Sequence, residues 1–178
     1  MIKRLRRLIV FCFPQQRVIR DEVIIRSVAD GIVVVAGGTE MLDSVRDMWT
    51  KLTRDVARHS THFSEYFHEK SWDERRSELL KKASRGPINV DVATYGGRQL
   101  GFCISSVIDG AGEIESLYVE ECSRGRRVGE MLVQRSVQWM KENGARTMAV
   151  FTVYGNDDVL GFYAKRGFRP ISVMLIHE

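Results

Sequence analysis

Apolar and polar positions change period several times along this chain, and each change predicts an element. Residues 23–29 and 32–36 are β-branched runs parted by Asp30-Gly31, a short hairpin signal. The second run ends at Gly37-Gly38, with Thr39 placed to cap a helix. Met41, Leu42, Val45, Met48, Trp49, Leu52 and Val56 then share one helical face, which predicts a helix to about Arg58. Ser71-Trp72-Asp73-Glu74 is a capping box, and the helix it opens runs through Leu79 and Leu80 until Gly86-Pro87. From Ile88 the period becomes two. Turns at Gly96-Gly97 and Asp109-Gly110 part three runs, 88–95, 100–108 and 113–119, which predict an antiparallel meander.

A long helix comes next, from the loop at residues 123–129 to about Asn143. Val128, Leu132, Trp139 and Met140 form its apolar face, Arg127, Glu130, Gln134, Gln138 and Lys141 its polar face, and Gly144 its C-cap. A strand over 147–153, a short helix opened by Asn156 and stopped by Gly167, and a return to strand after Phe168 complete the pattern. The fold class is α+β. Residues 32–178 make one domain, and 1–31 is a basic, apolar extension with an extra strand.

Composition narrows the function classes only slightly. The 178 residues are 44% hydrophobic and 28% charged, as in an ordinary globular domain. A net charge of +4 suits an anionic cofactor or a nucleic acid equally. Cys12, Cys103 and Cys122 lack metal-ligand spacing, so no metal is expected, and reduced thiols point to a cytoplasmic setting. No apolar run reaches the roughly 18 residues of a membrane span. Arg4, Arg6 and Arg7 precede an apolar run that Pro14 ends, and they lack the interleaved aromatics of a nucleic-acid motif. Neither a nucleic-acid nor a membrane partner is expected. The strand-Gly-Gly-helix order near Gly37 lacks the full G-x-G-x-x-G of a dinucleotide site.

The chemistry concentrates in one loop. Arg124-Gly125-Arg126-Arg127-Val128-Gly129 sets three guanidinium groups and two glycines where a helix begins. A first helical turn has unpaired N–H groups and a positive dipole end, and arginines add charge-assisted hydrogen bonds to phosphate. With the preceding Leu117-Tyr118-Val119, this stretch resembles the acyl-CoA signature of the GNAT superfamily of N-acetyltransferases. That pattern is Gln or Arg, two residues, Gly, one residue, then Gly or Ala. Arg124 and Gly129 match its ends, whereas Arg127 stands where the middle Gly is usual. On helical phase, the Arg127 side chain is expected to point to solvent with its N–H towards phosphate.

The stretch 156–168 resembles the later GNAT motif, an Asn opening a short helix and a Tyr preceding Gly-Phe. The resemblance implies a mixed, mostly antiparallel, twisted sheet flanked by helices in an α/β/α sandwich, and acetyl-CoA as co-substrate. It implies that Leu117, Tyr118, Val119, residues Arg124, Gly125, Arg126, Arg127, Val128 and Gly129, with Glu130, Asn156 and Tyr163, hold the coenzyme. The N–H groups of Leu117 and Val119 would polarise the thioester, Asn156 would bind the pantetheine arm, and Tyr163 would reprotonate the departing thiolate. The reaction is then direct attack by a primary amine, which must lose a proton to a carboxylate or to a water chained to one. Glu113 and Glu115 are the candidate bases, two apart on the strand before the loop. They share a face with Leu117 and Val119 unless a bulge intervenes. The alternative is a catalytically silent CoA-binding module. The acceptor is not legible, although 59–72, rich in His and aromatic residues, and the Tyr95–Arg98 turn are candidate walls. The extra N-terminal strands suit a homodimer.

Overall fold

The computed structural model describes residues 24–27, 31–60 and 70–177. Strand β1 (Ile24–Ser27) pairs antiparallel with β2 (Val33–Gly37), Ile24 opposite Ala36, so the expected hairpin forms. The rest of the N-terminal extension and the polar-aromatic stretch 61–69 lie outside the described residues.

A 3-10 helix (Thr39–Val45) leads into α1 (Arg46–His59). The expected Thr39 cap is not used: Gly38 holds the N-cap position, Thr39 is the first residue of the 3-10 helix, and the Gly38 N–H donates to the Glu40 carboxylate at 2.6 Å. Helix α2 (Trp72–Ala83) starts on the complete capping box. The Glu74 N–H donates to Ser71 Oγ at 3.3 Å and the Ser71 N–H to Glu74 Oε2 at 2.8 Å. Strands β3 (Ile88–Tyr95), β4 (Arg98–Ile108) and β5 (Ala111–Val119) form the meander. Helix α3 (Val128–Glu142), β6 (Thr147–Val150) and α4 (Asp157–Ala164) complete the order.

The six strands lie in chain order, β1 to β6, and every neighbour is antiparallel except the parallel pair β5 and β6. This is a mixed, mostly antiparallel sheet with helices on both faces. Under α3 and α4 the core gathers Val107, Ile114, Leu132, Met140 and Tyr163. Under α1 and α2 it gathers Met48, Trp49, Trp72, Leu79 and Phe102, with the two indoles edge to face at 5.5 Å.

Two expectations at the C-terminal end are corrected. Strand β6 stops at Val150 rather than 153, and no strand forms after Phe168. A strand exists only through its ladder. The run 171–176 has no neighbour to pair with among the described residues, and its large apolar side chains are exposed.

One irregularity positions the site. Ile104 faces Ser116 while Ser105 faces Ile114, so Glu115 is an extra residue on β5, a β-bulge. The bulge inverts the alternation of side chains. Ile114, Leu117 and Val119 face α3, whereas Tyr118 packs on the α1–α2 side. Glu113 and Glu115 also turn to that side, where α2 supplies Lys82 and Arg75. The Glu115 carboxylate, with no exposed side-chain surface, accepts from Arg75 Nη2 at 2.9 Å, Lys82 Nζ at 2.5 Å and Ser106 Oγ at 2.6 Å. A second bond from Arg75 Nη2, at 2.9 Å, goes to the Glu115 carbonyl itself.

Burial alone would raise the Glu115 pKa. The bonds from Lys82 and Ser106 and the charges of Arg75 and Lys82 outweigh that and hold the carboxyl below its ordinary value. Its folded-state pKa is therefore depressed. The stabilisation is complete above the unfolded value near 4.5 and is lost as pH falls through the folded one. Glu115→Ala, which strands two cations, is expected to cost about 3–5 kcal/mol in urea unfolding at neutral pH. It should also flatten the acid limb of the stability curve below pH 4.5. A variant as stable and as acid-sensitive as the wild type would remove the carboxylate as the lock of the bulge.

Candidate active site

Strands β5 and β6 run side by side only to the pair Ile114 and Val150. Beyond it they part. The Glu120 N–H donates to the Leu100 carbonyl of β4 at 2.8 Å. Strand alternation therefore turns the N–H groups of Leu117 and Val119 away from β4, into the gap that β6 has left.

At the mouth of the gap the chain makes a 3-10 turn (Glu121–Ser123) and then the arginine loop. Gly125 takes φ +77° and Arg127 φ +62°, both left-handed. A residue with a Cβ adopts that region at a cost of about 1 kcal/mol, which explains why glycine is usual at the Arg127 position. The helical-phase reading of Arg127 is thus corrected, because α3 starts only at Val128 and Arg127 precedes it. Its side chain does reach solvent, where Nε donates to Glu130 at 2.9 Å.

Helix α3 has no side-chain cap, in contrast to α2. Its first backbone bond runs from the Met131 N–H to the Arg127 carbonyl at 3.0 Å. The N–H groups of Val128, Gly129 and Glu130 are left without an acceptor among the described residues, and they carry the positive end of the helix dipole. Gly129 is fixed by space. A Cβ there would lie 3.3 Å from both Val119 Cγ2 and Phe162 Cζ. Arg124 is committed differently, since Nε donates to the Val119 carbonyl at 3.2 Å and Nη2 to Asp55 of α1 at 2.5 Å. Arg126 lies over the Tyr95 ring at 5.6 Å.

Tyr163 is buried in the same cluster as Leu117, Val119 and Val128, its ring edge to face with Phe162 and Phe168 at 5.1 and 5.6 Å. Its phenol makes no hydrogen bond among the described residues. Burial raises its pKa above the ordinary 10.0, nearby Cys103 adds to the rise, and Arg166 opposes it. Burial pushes the Cys103 thiol up to about 12. Asn156 caps α4 by accepting the Val159 N–H at 3.2 Å, and its amide NH2 has no acceptor among the described residues. Of the two glutamates, Glu115 is sealed in the bulge, whereas Glu113 is 28% exposed and among the described residues pairs with Lys82 alone, at 2.8 Å.

Some contributors carry no role in the motifs read from the sequence. Arg166 stacks on Phe162 with its guanidinium 3.7 Å from the ring centroid and donates to the Phe162 carbonyl at 2.6 Å. On α1, the apolar face is legible by period, while the polar face carries no signal of its own. Yet Lys51, Arg54, Asp55 and Arg58 line a cleft of about 440 Å³ with Tyr118 and Glu120. A second cleft of about 450 Å³ shares Lys51 and Glu120 with it and is walled by Tyr95, Arg98 and Arg126, so the expected Tyr95–Arg98 turn is in place.

Residues 43–168 match the family model described as the Acetyltransferase (GNAT) family. The chain belongs to the GNAT acetyltransferase family. Among curated proteins it is similar to the uncharacterized N-acetyltransferase YobR of Bacillus subtilis (strain 168), 37% identical over 67 residues, which cover 38% of this chain and 27% of that protein. The match thus spans about a quarter of that relative's length. Among solved structures, a GCN5-related N-acetyltransferase from Ralstonia eutropha JMP134 superposes with a TM-score of 0.63 at 20% identity, covering 83% of this chain and 99% of that one. The aminoglycoside N-acetyltransferase AAC(6')-Iy, solved with CoA, gives 0.59 at 16% identity, covering 85% and 98%. At such identities the structures establish the shared GNAT fold.

Proposed function

We propose that this chain transfers the acetyl group of acetyl-CoA to a primary amine by direct attack on the thioester. The observation that carries the reading is the buried Tyr163, whose phenol has no hydrogen-bond partner among the described residues, in one cluster with Leu117, Val119 and the first turn of the uncapped helix α3. The residues fit the coenzyme. The free N–H groups of Val128, Gly129 and Glu130, with Arg126 and Arg127 beside them, suit a pyrophosphate. The gap beyond Ile114 suits an extended pantetheine, and the Asn156 amide can donate to it.

Acetyl-CoA supplies an activated acyl carbon and a thiolate leaving group. The N–H groups of Leu117 and Val119 hold the carbonyl oxygen as charge builds on it. As the new C–N bond forms and the C–S bond breaks, Tyr163 gives its phenolic proton to the sulfur. The attacking nitrogen loses its proton to a water relayed to Glu113, and solvent returns a proton to Tyr163. Glu115 keeps the bulge rather than serving as base, since Arg75, Lys82 and Ser106 already hold its carboxylate. A cytoplasmic setting agrees with the free thiols of Cys103 and Cys122.

Calorimetric titration with acetyl-CoA is expected to show micromolar binding that Gly129→Glu abolishes, because a Cβ at Gly129 already meets two side chains at 3.3 Å. Over a panel of primary amines, Tyr163→Phe should lower kcat by about a hundredfold with little change in KM. A wild type that binds no acetyl-CoA while folded would end the reading. A Tyr163→Phe enzyme of full activity would end the assignment of the acid.

The reading extends to self-association. Within 171–176, Ile171, Val173, Met174, Leu175 and Ile176 are 56–98% exposed, and the outer edge of β6 has no neighbouring strand among the described residues. One chain therefore carries both halves of a strand addition, and two copies can exchange them reciprocally. Sedimentation equilibrium should give a dimer that Val173→Lys with Leu175→Lys converts to a monomer. A monomeric wild type would dismiss the exchange.

A further inference from the structure

We propose that Arg166 is a positioning residue for the acid of this reaction: its guanidinium supplies the positive charge that offsets the phenolate left on Tyr163 when the proton passes to sulfur. The inference rests on the acetyl-transfer reading above and adds a residue to its machinery.

The step itself creates the need. As the C–S bond breaks, the Tyr163 O–H bond breaks with it and an S–H bond forms, so the phenol oxygen carries a negative charge until solvent reprotonates it. Tyr163 is 7% exposed and lies in an apolar cluster. Strand β5 and helix α3 bring Leu117, Val119, Val128 and Leu132 to that cluster, and Phe162 and Phe168 meet the ring edge to face. An anion formed there loses most of its hydration, which disfavours it unless a cation stands near. Two titratable groups act on this phenol. Cys103 of β4 opposes its ionisation, as burial does, and Arg166 favours it.

Arg166 is held where its charge counts. Its guanidinium lies 3.7 Å from the Phe162 ring centroid, and the Phe162 ring in turn meets the Tyr163 ring at 5.1 Å and 81°. One aromatic ring therefore separates the cation from the phenol ring. Nη1 donates to the Phe162 carbonyl at 2.6 Å, which fixes the guanidinium on the ring. The side chain is 16% exposed, so water and salt screen it little.

A cap on the last turn of α4 would account for Nη1, because carbonyls at a helix C-terminus favour a cation. It accounts for neither of the other nitrogens. Nε is the one buried side-chain nitrogen or oxygen that lacks a hydrogen-bond partner among the described residues. Nη2 has the Glu130 carboxylate at 3.8 Å, beyond hydrogen-bond reach, and that carboxylate already takes Arg127 at 2.9 Å. The Arg166 charge is thus only partly compensated. An apolar side chain would cover Phe162 without stranding a buried donor. The charge that arises across the ring from it, and that would use the cation, is the Tyr163 phenolate.

The test places a ring-trifluorinated tyrosine at position 163 and follows its ionisation by fluorine NMR in otherwise wild-type protein, in Arg166→Gln and in Arg166→Lys. This phenol is close to tyrosine in size and far more acidic, so it titrates while the protein is folded, which thermal unfolding checks for each variant. In parallel, kcat and KM are measured by thiol release over the amine panel, with Tyr163 and with Tyr163→Phe. Without the guanidinium the probe is expected to titrate about one pH unit higher, whereas Arg166→Lys keeps most of the wild-type value. The matching loss of kcat in Arg166→Gln is about tenfold with KM unchanged, and it should vanish in the Tyr163→Phe background. A probe that titrates at the same pH in wild type and Arg166→Gln would overturn the inference. So would equal losses of kcat in Arg166→Lys and Arg166→Gln, or a loss that persists undiminished beside Tyr163→Phe, since either marks a purely structural clamp. A shifted probe with no amine turned over would uphold the pairing of Arg166 with Tyr163 and end the acetyl-transfer reading.

Discussion

The site depends on one extra residue in one strand. With Glu115 inserted, β5 shifts its register against β4 and leaves β6 after four paired residues. A regular strand would continue the parallel ladder and close the space that an acyl-pantetheine arm needs. A bulge is a local loss of backbone pairing, so it persists only where something over-determines it. Here α2 does so, with Arg75 and Lys82 reaching across to the Glu115 carboxylate and Arg75 also taking its carbonyl. Two cations around one sealed carboxylate do not make a large net contribution to stability, because desolvation offsets most of the attraction. Their contribution is a definite place for the strand to bend.

From that bend the two sides of the site arise by alternation. The same inversion sends Leu117 and Val119 to the α3 face, with their N–H groups towards the gap, and Tyr118 to the α1 face. The α3 face receives an uncapped helix start and a buried phenol. The α1 face receives a charged cleft with Tyr118 on its wall. The sheet thus separates the proposed coenzyme side from the α1 cleft at a single segment of β5.

Arg127 shows how a departure from a family pattern can be absorbed. Its left-handed backbone is where glycine is cheapest, but the side chain is free in solvent and gains Glu130. Gly129 has no such freedom, because its Cβ position is already bounded by Val119 and Phe162. The two glycine positions of the pattern thus have different physical causes. One is a backbone conformation, which an L-residue can adopt at a modest cost. The other is a close approach of helix, strand and the α4 aromatic, which leaves no room for a large side chain.

Local chemistry decided much of this protein in advance. The capping box at Ser71, the turns at Gly96-Gly97 and Asp109-Gly110 and the period of two through β3 to β5 depend on neighbours within a few residues, so they were readable and formed as read. The arginine loop and the Asn156 to Phe168 stretch were legible for the same reason, as short motifs at fixed spacing. Other features needed partners far along the chain. No pattern in β5 marks Glu115 as the bulged residue, since the ions that hold it come from α2 and the register from β4. The cleft on α1 was hidden because a polar helix face reads the same whether it meets solvent or the end of a strand. The absent strand after Phe168 makes the complementary point. An apolar run has strand propensity on its own, but it becomes a strand only when a free edge is brought to it, and that is a property of the assembled fold.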